Sequence, residues 1–248
     1  MTIETDDDLQ ALMRVGALVA QTLRELRALV RPGISTAELD LHGERALLRA
    51  GARSAPRVVY GFPGALCISV NDEAAHGIPG DRMLAVGDLV KIDLTAELDG
   101  YMADAALTVG VGRLSPARRK LTTCAAGSLQ IALQAATAGR RLRDVGGAVE
   151  SGVKKQHLAV VRELCGHGVG RTIHEEPHCV PSYFDPKATD RLEAGAVIAI
   201  EPHITSGSGR VQTAPDGWTL RTLDGSPVAN FEHTAVITNA KPIILTAA

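Results

Sequence analysis

Four acidic residues stand inside apolar segments that have the pattern of buried strands, and this feature restricts most strongly how the chain can fold. They are Asp93, Asp104, Glu201 and Glu232. Burying an unpaired carboxylate is very costly, so each of the four must face solvent or meet a cation. Any one of them could lie on the wet face of a strand. Four such cases favour a shared cation, because Lys91 and Lys241 are the only lysines within about ten residues of any of them.

Asp93 and Asp104 lie on either side of a predicted hairpin. Between them, Asp99-Gly100 is a strong turn signal. With a two-residue turn, residue 104 lies opposite Thr95 and diagonal to Asp93, whereas a four-residue turn places Asp93 directly opposite Asp104. Both registers put the two carboxylates on one face of the hairpin, roughly 5–8 Å apart at the backbone, within reach of one ion.

Three histidines are candidates for a site. His167 lies in the glycine-rich segment 166–171, and His174 precedes an acidic pair. A lone histidine in a glycine loop is usually a turn residue, but two of them seven residues apart beside acidic residues favour a functional site. His76, in Asn-Asp-Glu-Ala-Ala-His-Gly-Ile-Pro, would by itself be interpreted as a turn residue.

The remaining pattern mixes helices with strands. Apolar spacing predicts a helix over 6–30, a capping box at 35–38 begins a second helix, Ser115-Pro116 begins a third that runs to about residue 139, and a weaker helix lies near 143–157. Strands are predicted over 65–71, 88–96, 101–111, 158–164, 196–204, 218–223 and 228–238. This order, without a linker or repeat, predicts an α+β fold in one domain over residues 1–248.

The composition excludes several other classes. The chain has 248 residues, of which 45% are hydrophobic and 22% are charged, and this is enough for a large hydrophobic core. The net charge of −2 does not favour binding to nucleic acid. No segment has the roughly 20 apolar residues of a membrane span, and the acidic start is not a signal peptide. Cys67, Cys124, Cys165 and Cys179 form no CxxC pair, which argues against disulfides and structural zinc. A cytoplasmic, reducing location is expected.

Taken together, these segments resemble the type I methionine aminopeptidases, from the first helix to Ile244. The shared motifs are Asn-Asp-Glu-Ala-Ala-His-Gly-Ile-Pro at 71–79, the aspartates at 93 and 104, Gly-His-Gly-Val-Gly-Arg at 166–171, His-Glu-Glu-Pro at 174–177, Ile-Glu-Pro at 200–202 and Phe-Glu-His-Thr at 231–234. Each motif alone is weak, but their order is specific. The resemblance implies the pita-bread fold, in which two halves related by a pseudo-twofold axis, with antiparallel sheets flanked by helices, enclose the site.

The resemblance also implies a dinuclear metal centre. Asp93 would chelate one ion, His167 and Glu201 would bind the other, and Asp104 and Glu232 would bridge both. Four carboxylates balance two divalent ions, and an oxygen-rich set with one imidazole favours Mn, Fe(II) or Co, with Zn possible. Two ions about 3.5–4 Å apart share and activate a water, whose pKa falls to about 7 in the well-studied zinc case.

Roles for other residues come from the same resemblance. Glu201 would accept the proton of the attacking water, His76 would contact the scissile amide nitrogen, and His174 would stabilise the intermediate or donate a proton. The pocket for the substrate methionine should be apolar, since it holds a flexible thioether. The family positions for this pocket correspond here to Val59, Phe62, Cys67, Ile173 and Trp218.

The chain departs from the family pattern at four positions. Members commonly have an aromatic residue at Ile173, a threonine at Ala105, a methionine at His203, and an aromatic or polar residue at Val59. Ala105 lacks a hydroxyl that could support a ligand, and such supports are worth about 10–100-fold in metal affinity or activity. Thr95, another possible support, is retained. The departures are compatible with altered strictness for methionine, as in a divergent paralogue.

The expected function is removal of the N-terminal methionine from peptides and nascent chains with a small second residue, by a monomer that binds neither nucleic acid nor membrane. One alternative is an X-Pro peptidase on the same fold, although those enzymes usually carry an extra N-terminal domain. A catalytically weak peptide-binding protein is another, although such proteins lose metal ligands. A purely structural metal domain would leave His76 and His174 unexplained. The long insertion of type II enzymes and an N-terminal extension for ribosome docking are not expected.

Overall fold

The computed structural model describes residues 1–247 of the chain. This part contains five α-helices and fifteen β-strands, joined by turns and loops. The helices are α1 (Asp6–Leu29), α2 (Thr36–Arg49), α3 (Ala55–Tyr60), α4 (Pro116–Ala135) and α5 (Leu142–Lys154). The strands are β1 (Arg53–Ser54), β2 (Cys67–Val70), β3 (Glu73–Ala75), β4 (Leu89–Leu98), β5 (Tyr101–Gly110), β6 (Ala159–Val160), β7 (Gly166–Gly168), β8 (Glu175–Val180), β9 (Val197–Ile200), β10 (His203–Thr205), β11 (Val211–Thr213), β12 (Leu220–Thr222), β13 (Val228–Asn230), β14 (His233–Val236) and β15 (Ile243–Ile244).

The four helices predicted from the sequence are confirmed, and their starts have local causes. Helix α2 begins with the predicted capping box, in which the Ser35 hydroxyl accepts from the Glu38 backbone N–H and the Ser35 N–H donates to Glu38 Oε2 at 2.8 Å. The same box, built from Thr5 and Asp8, begins α1. Ser115 caps α4. These side chains satisfy backbone N–H groups that have no partner within a helix.

Helix α3 is absent from the sequence-based prediction because its six residues are too few for apolar periodicity to develop. Its ends nevertheless carry local signals. The Ser54 hydroxyl accepts from the backbone N–H of Arg57 at 3.4 Å, and Pro56 occupies the first turn. Gly61, with φ of 70°, ends the helix in the left-handed conformation that glycine adopts readily.

The hairpin of β4 and β5 has the register of a two-residue turn. Asp99 and Gly100 form the turn, with φ of 53° and 80°, which is the positive-φ pair of a type I′ turn. Thr95 therefore lies opposite Asp104, and Asp93 is its diagonal neighbour. The register of a two-residue turn, one of the two considered from the sequence, is confirmed. Both carboxylates lie on one face of the hairpin.

The chain forms two halves, each with antiparallel sheets covered by a pair of helices. In the N-terminal half, α1 and α2 pack on β1, β2, β4 and β5, and the core between them is aliphatic. In the C-terminal half, α4 and α5 cover a five-stranded sheet, β15-β14-β9-β7-β8, and a three-stranded sheet, β13-β10-β6. A third small sheet, β11-β12-β3, joins segments of both halves.

Strand β5 is bonded across the boundary to the segment 230–234. Thr108 Oγ1 donates to the Asn230 carbonyl at 2.7 Å and accepts from the Asn230 N–H at 2.8 Å. The Glu232 N–H donates to the Ala106 carbonyl at 2.9 Å. Residues 231–232 interrupt the strand predicted over 228–238, just as residues 201–202 interrupt the strand predicted over 196–204. Two candidate ligands thus lie at breaks between strands.

Lys91 also links the two halves. Its side chain is buried, and its ammonium donates to the carbonyl oxygens of Asn71 at 3.2 Å and Val228 at 3.1 Å. Burial lowers the pKa of Lys91 to about 7. The lysine that is closest to Asp93 in sequence is therefore engaged by backbone carbonyls at the boundary between the halves.

Cys165 and Cys179 are joined by a disulfide, so the prediction of unpaired cysteines is wrong for this pair. The antiparallel pairing of β7 with β8 brings their Cα atoms to 5.5 Å, within the usual range for a disulfide. Cys67 and Cys124 are free. Among the helices of residues 1–247, none has the length and apolar character needed to cross a bilayer.

Candidate active site

A cavity of about 290 Å³ opens between the two halves, and the acidic residues predicted from the sequence line it. Residues from both halves contribute to its wall. They are Pro56, Tyr60, Phe62, Cys67, His76, Asp93, Thr95, Asp104, His167, Ile173, His174, Glu201, Trp218 and Glu232. A cavity that combines apolar side chains with a few converging polar groups is the usual form of a small-ligand site.

The five candidate metal ligands converge on one wall of the cavity. Asp93 and Asp104 come from the β4–β5 hairpin, and His167 lies on β7. Glu201 directly follows β9 and Glu232 directly precedes β14, in the sheet where β9 pairs with both β7 and β14. Single ligand atoms of Asp104, His167 and Glu232 lie within 4.8 Å of one another. His167 Nε2 is 3.5 Å from Glu201 Oε1 and 3.8 Å from Asp104 Oδ2.

These carboxylates lack the protein partners that would satisfy them. Asp104 Oδ1 and Glu232 Oε1 are buried without a hydrogen-bond partner among the described residues. Burial, and then the charge of Asp104, raises the pKa of Asp93, Glu201 and Glu232 well above the ordinary range. Oxygen ligands at this density, with one imidazole, fit divalent cations of the harder and borderline kind.

His174 lies between two aromatic side chains at the mouth of the cavity. Its ring packs edge-on against His167, with centroids 4.2 Å apart, and its Nδ1 is 2.5 Å from the hydroxyl oxygen of Tyr60. Partial burial, and then the neighbouring His167, lowers the pKa of His174 to about 4. The imidazole is therefore neutral near pH 7 and can donate through one ring nitrogen while it accepts through the other.

His76 reaches the cavity from the end of β3. Its backbone φ of 54° lies in the left-handed region, which histidine tolerates better than most residues. The next residue, Gly77, donates its N–H to the Ser69 hydroxyl at 2.9 Å and so fixes the turn. Partial desolvation of the ring within the concave site, and then the charge of His174, lower the pKa of His76.

Four of the five predicted pocket residues line the cavity. The rings of Phe62 and Trp218 meet edge to face, with centroids 5.3 Å apart. Cys67, on β2, lies opposite Asp93 on β4 and is buried. Ile173 is also buried beside the histidines. Together, these side chains form an apolar wall next to the carboxylates.

Val59 is the predicted pocket residue that the structure does not bring to the cavity; it is 38% exposed on α3. Successive helical residues point about 100° apart, and it is Tyr60 that faces the site. Pro56, one turn earlier, lines the cavity as well. The sequence gives no signal for Tyr60, because its position depends on the direction of a six-residue helix.

Two departures from the family pattern have clear environments. Alternation along β5 places Ala105 on the face opposite Asp104, and its side chain lies in the hydrophobic core of the N-terminal half. The missing hydroxyl at Ala105 is therefore not on the metal-facing side. His203 is buried, and its Nδ1 is 3.0 Å from the carbonyl oxygen of Glu201. Burial lowers the pKa of His203 to about 3, so Nδ1 of the neutral ring donates to that carbonyl.

Comparison with known proteins defines the class. The chain belongs to metallopeptidase family M24, whose model matches residues 10–239. It is 43% identical over 247 residues to methionine aminopeptidase 2 of Bacillus subtilis, with 99% of each chain covered. Identity to methionine aminopeptidase 1 of the same organism is also 43%, over 98% of each chain.

Solved structures confirm the pita-bread fold. A methionine aminopeptidase from Thermotoga maritima is 34% identical and superimposes with a TM-score of 0.96 over 100% of both chains. An Xaa-Pro dipeptidase from Bacillus anthracis shares the fold at a TM-score of 0.78 and 18% identity, and the match covers 62% of that longer chain. The two-halved α+β architecture predicted from the sequence is therefore correct.

Proposed function

We propose that the chain is a methionine aminopeptidase, which hydrolyses the bond after an N-terminal methionine in peptides and nascent chains with a small second residue. The observation that carries this proposal is the cavity, in which buried carboxylates with unsatisfied oxygens lie beside an apolar wall. Identity of 43% to two methionine aminopeptidases over nearly the full chain supports it. The proposal includes a cytoplasmic location, where nascent chains are made, and a monomer with one catalytic domain formed by both halves.

Divalent ions would be held by Asp93, Asp104, His167, Glu201 and Glu232. Four carboxylates match the charge of two such ions, of which Mn, Fe(II) and Co suit the ligand set best and Zn is possible. Bound there, the ions would polarise the scissile carbonyl and lower the pKa of a water, so that a nucleophile is present at neutral pH.

Side chains of the protein would accept and donate the protons of the reaction. Glu201 would accept the proton of the attacking water through its carboxylate, which lines the cavity 3.5 Å from His167 Nε2. His174, neutral near pH 7, would donate a hydrogen bond to the developing oxyanion. His76, which also lines the cavity, would contact the scissile amide nitrogen.

The apolar wall would select methionine. Phe62 and Trp218, whose rings meet edge to face, line the cavity with Cys67 and Ile173 and form a surface that suits a thioether side chain. Ile173 is smaller than the aromatic residue common in the family, which leaves more room at that side. We therefore expect measurable cleavage after leucine or norleucine in addition to methionine.

A metal-reconstitution assay tests the proposal. The purified protein is stripped of metal, Mn, Fe(II), Co or Zn is added separately, and methionine released from Met-Ala-Ser is measured. Release should require metal and be lost in Glu201→Ala, whereas Glu193→Ala, at an exposed glutamate, should behave as wild type. Absence of release with every ion from a folded protein would refute the proposal. An Ala-Pro peptide in the same assay tests the X-Pro alternative.

A further inference from the structure

The contact between Tyr60 and His174 joins helix α3 to the loop before β8. Tyr60 Oη lies 2.5 Å from His174 Nδ1, and the two rings are tilted by 37° with centroids 5.6 Å apart. The His174 ring also packs against His167, with centroids 4.2 Å apart. The imidazole is thus held by a hydrogen bond at one nitrogen and by a ring contact with a candidate metal ligand.

A phenol that donates to Nδ1 determines where the imidazole proton lies. A neutral histidine has one N–H, and when Nδ1 accepts a hydrogen bond the proton is on Nε2. Nε2 lies on the opposite edge of the ring from Nδ1 and so points away from Tyr60. In this tautomer, Nε2 is the ring nitrogen that can donate to an oxyanion within the cavity.

We propose that Tyr60 is a positioning residue for His174, whose hydroxyl holds the ring in the Nε2–H tautomer and in the orientation needed to donate to the substrate. This inference rests on the proposed function. The phenol does not itself touch the reacting atoms. Its effect is therefore expected on the rate of the chemical step and much less on substrate binding.

The short helix that carries Tyr60 has a fixed start and a defined end. Helix α3 is tied at its start by the Ser54 hydroxyl, which donates to the Ala65 carbonyl at 2.7 Å, and by an ion pair between Arg57 and Glu44. Gly61 then ends the helix directly after Tyr60. Tyr60 contacts His174 through a hydrogen bond, whereas the ring of His167 packs edge-on against it.

Steady-state kinetics of the metal-loaded enzyme on Met-Ala-Ser tests the inference. Tyr60→Phe should lower kcat about tenfold, the scale of one lost positioning hydrogen bond, and change KM less than about twofold. Val58→Ala, an exposed residue on the same helix, should leave both constants unchanged. Added to His174→Ala, Tyr60→Phe should have no further effect. Wild-type kcat in Tyr60→Phe, or an equal loss in the His174→Ala background, would overturn the inference.

A second measurement does not depend on activity. In the full-length, metal-free protein labelled with ¹⁵N-histidine, two-bond ¹H–¹⁵N spectra near pH 7 report the tautomer of each ring. His174 should show the Nε2–H form in the wild type, with its Nδ1 resonance shifted in Tyr60→Phe. A Nδ1–H form in the wild type would overturn the inference. If the wild type releases no methionine, the proposed function fails, and the spectra still decide whether Tyr60 sets the tautomer.

Discussion

Thr234 and the backbone of Asp104 bond to each other twice across the two halves. Thr234 Oγ1 accepts from the Asp104 N–H at 2.8 Å and donates to the Asp104 carbonyl at 2.7 Å. Thr108 makes the same pair of bonds with the backbone of Asn230, at 2.7 and 2.8 Å. The Thr234 hydroxyl therefore anchors the backbone of a candidate metal ligand. The Thr108 hydroxyl joins the two halves at another point along β5, where no candidate ligand is bonded.

Replacing Thr234 with valine should weaken both folding and metal binding. Valine has a similar shape but leaves the Asp104 N–H and carbonyl buried and unpaired, which costs about 1–3 kcal/mol of unfolding free energy. Because Asp104 then loses its anchor, affinity for Mn²⁺ should fall about 10–100-fold. Urea denaturation of the metal-free protein and calorimetric titration with Mn²⁺ measure the two effects.

Thr108→Val is the matched control for this prediction. It removes an equivalent pair of buried bonds, to Asn230, and should cost a similar free energy of unfolding. Since Thr108 anchors no candidate ligand, Mn²⁺ affinity should remain near that of the wild type. Equal losses of affinity in both variants would show that Thr234 acts only through general stability.

Metal should stabilise the folded protein through the buried carboxylates. A ligand at about 100 times its Kd adds roughly 2.7 kcal/mol, which for a chain of this size raises Tm by about 5–10 °C. Glu232→Gln should remove most of this rise, because a buried ligand oxygen is replaced. The metal-free variant should also be more stable than the metal-free wild type, since one buried charge is gone. Differential scanning calorimetry with and without Co²⁺ or Mn²⁺ measures both effects, with Glu193→Gln as control.

The elements with strong local signals are those that could be predicted from the sequence. The capping box at Ser35 and the Asp99-Gly100 turn involve residues close in sequence, so their consequences are local. Strands β7 and β8 carry little apolar periodicity, because the first is glycine-rich and the second is mostly exposed. Their pairing, and with it the Cys165–Cys179 disulfide, depends on the tertiary fold.

Site residues could be predicted from the sequence where a charged side chain stands within an apolar strand. A carboxylate such as Glu201 stands out because charge is costly in an apolar strand. His167, in a glycine loop, has no such conflict and could be assigned a role only by resemblance. Tyr60 acts on a histidine 114 residues away, through a helix too short to leave a periodic signal.

Asp8 should make stability depend on acid pH. Hydrogen bonds from the Tyr101 hydroxyl at 2.7 Å and the Thr5 hydroxyl at 2.9 Å lower the pKa of Asp8 to about 2, below the roughly 3.9 of an unfolded aspartate. Folding therefore favours the ionised form. The stabilisation is complete above about pH 4 and is lost as pH falls toward 2.

Asp8→Asn should accordingly lower the urea midpoint at pH 7 and reduce its change between pH 4 and 2. Asp7→Asn, at an exposed neighbour in the same helical turn, is the control and should keep the wild-type slope. Urea denaturation at half-unit pH steps provides the comparison. An unchanged slope in Asp8→Asn would show that the Tyr101 and Thr5 contacts do not bind the carboxylate selectively in the folded state.

The Cys165–Cys179 disulfide should be detectable by counting thiols. In denaturant without reductant, Ellman's reagent should find only Cys67 and Cys124, and after reduction it should find all four cysteines. The bond closes a loop over a sequence separation of 14, so Cys165→Ser/Cys179→Ser should lose about 2–4 kcal/mol of unfolding free energy under oxidising conditions. The double variant should have the same free energy of unfolding as the reduced wild type, because both lack the cross-link. The control Cys124→Ser should still be more stable under oxidising than under reducing conditions. Four reactive thiols without reductant would contradict the pairing, and β7, which carries His167, would then be joined to β8 by strand pairing without the cross-link.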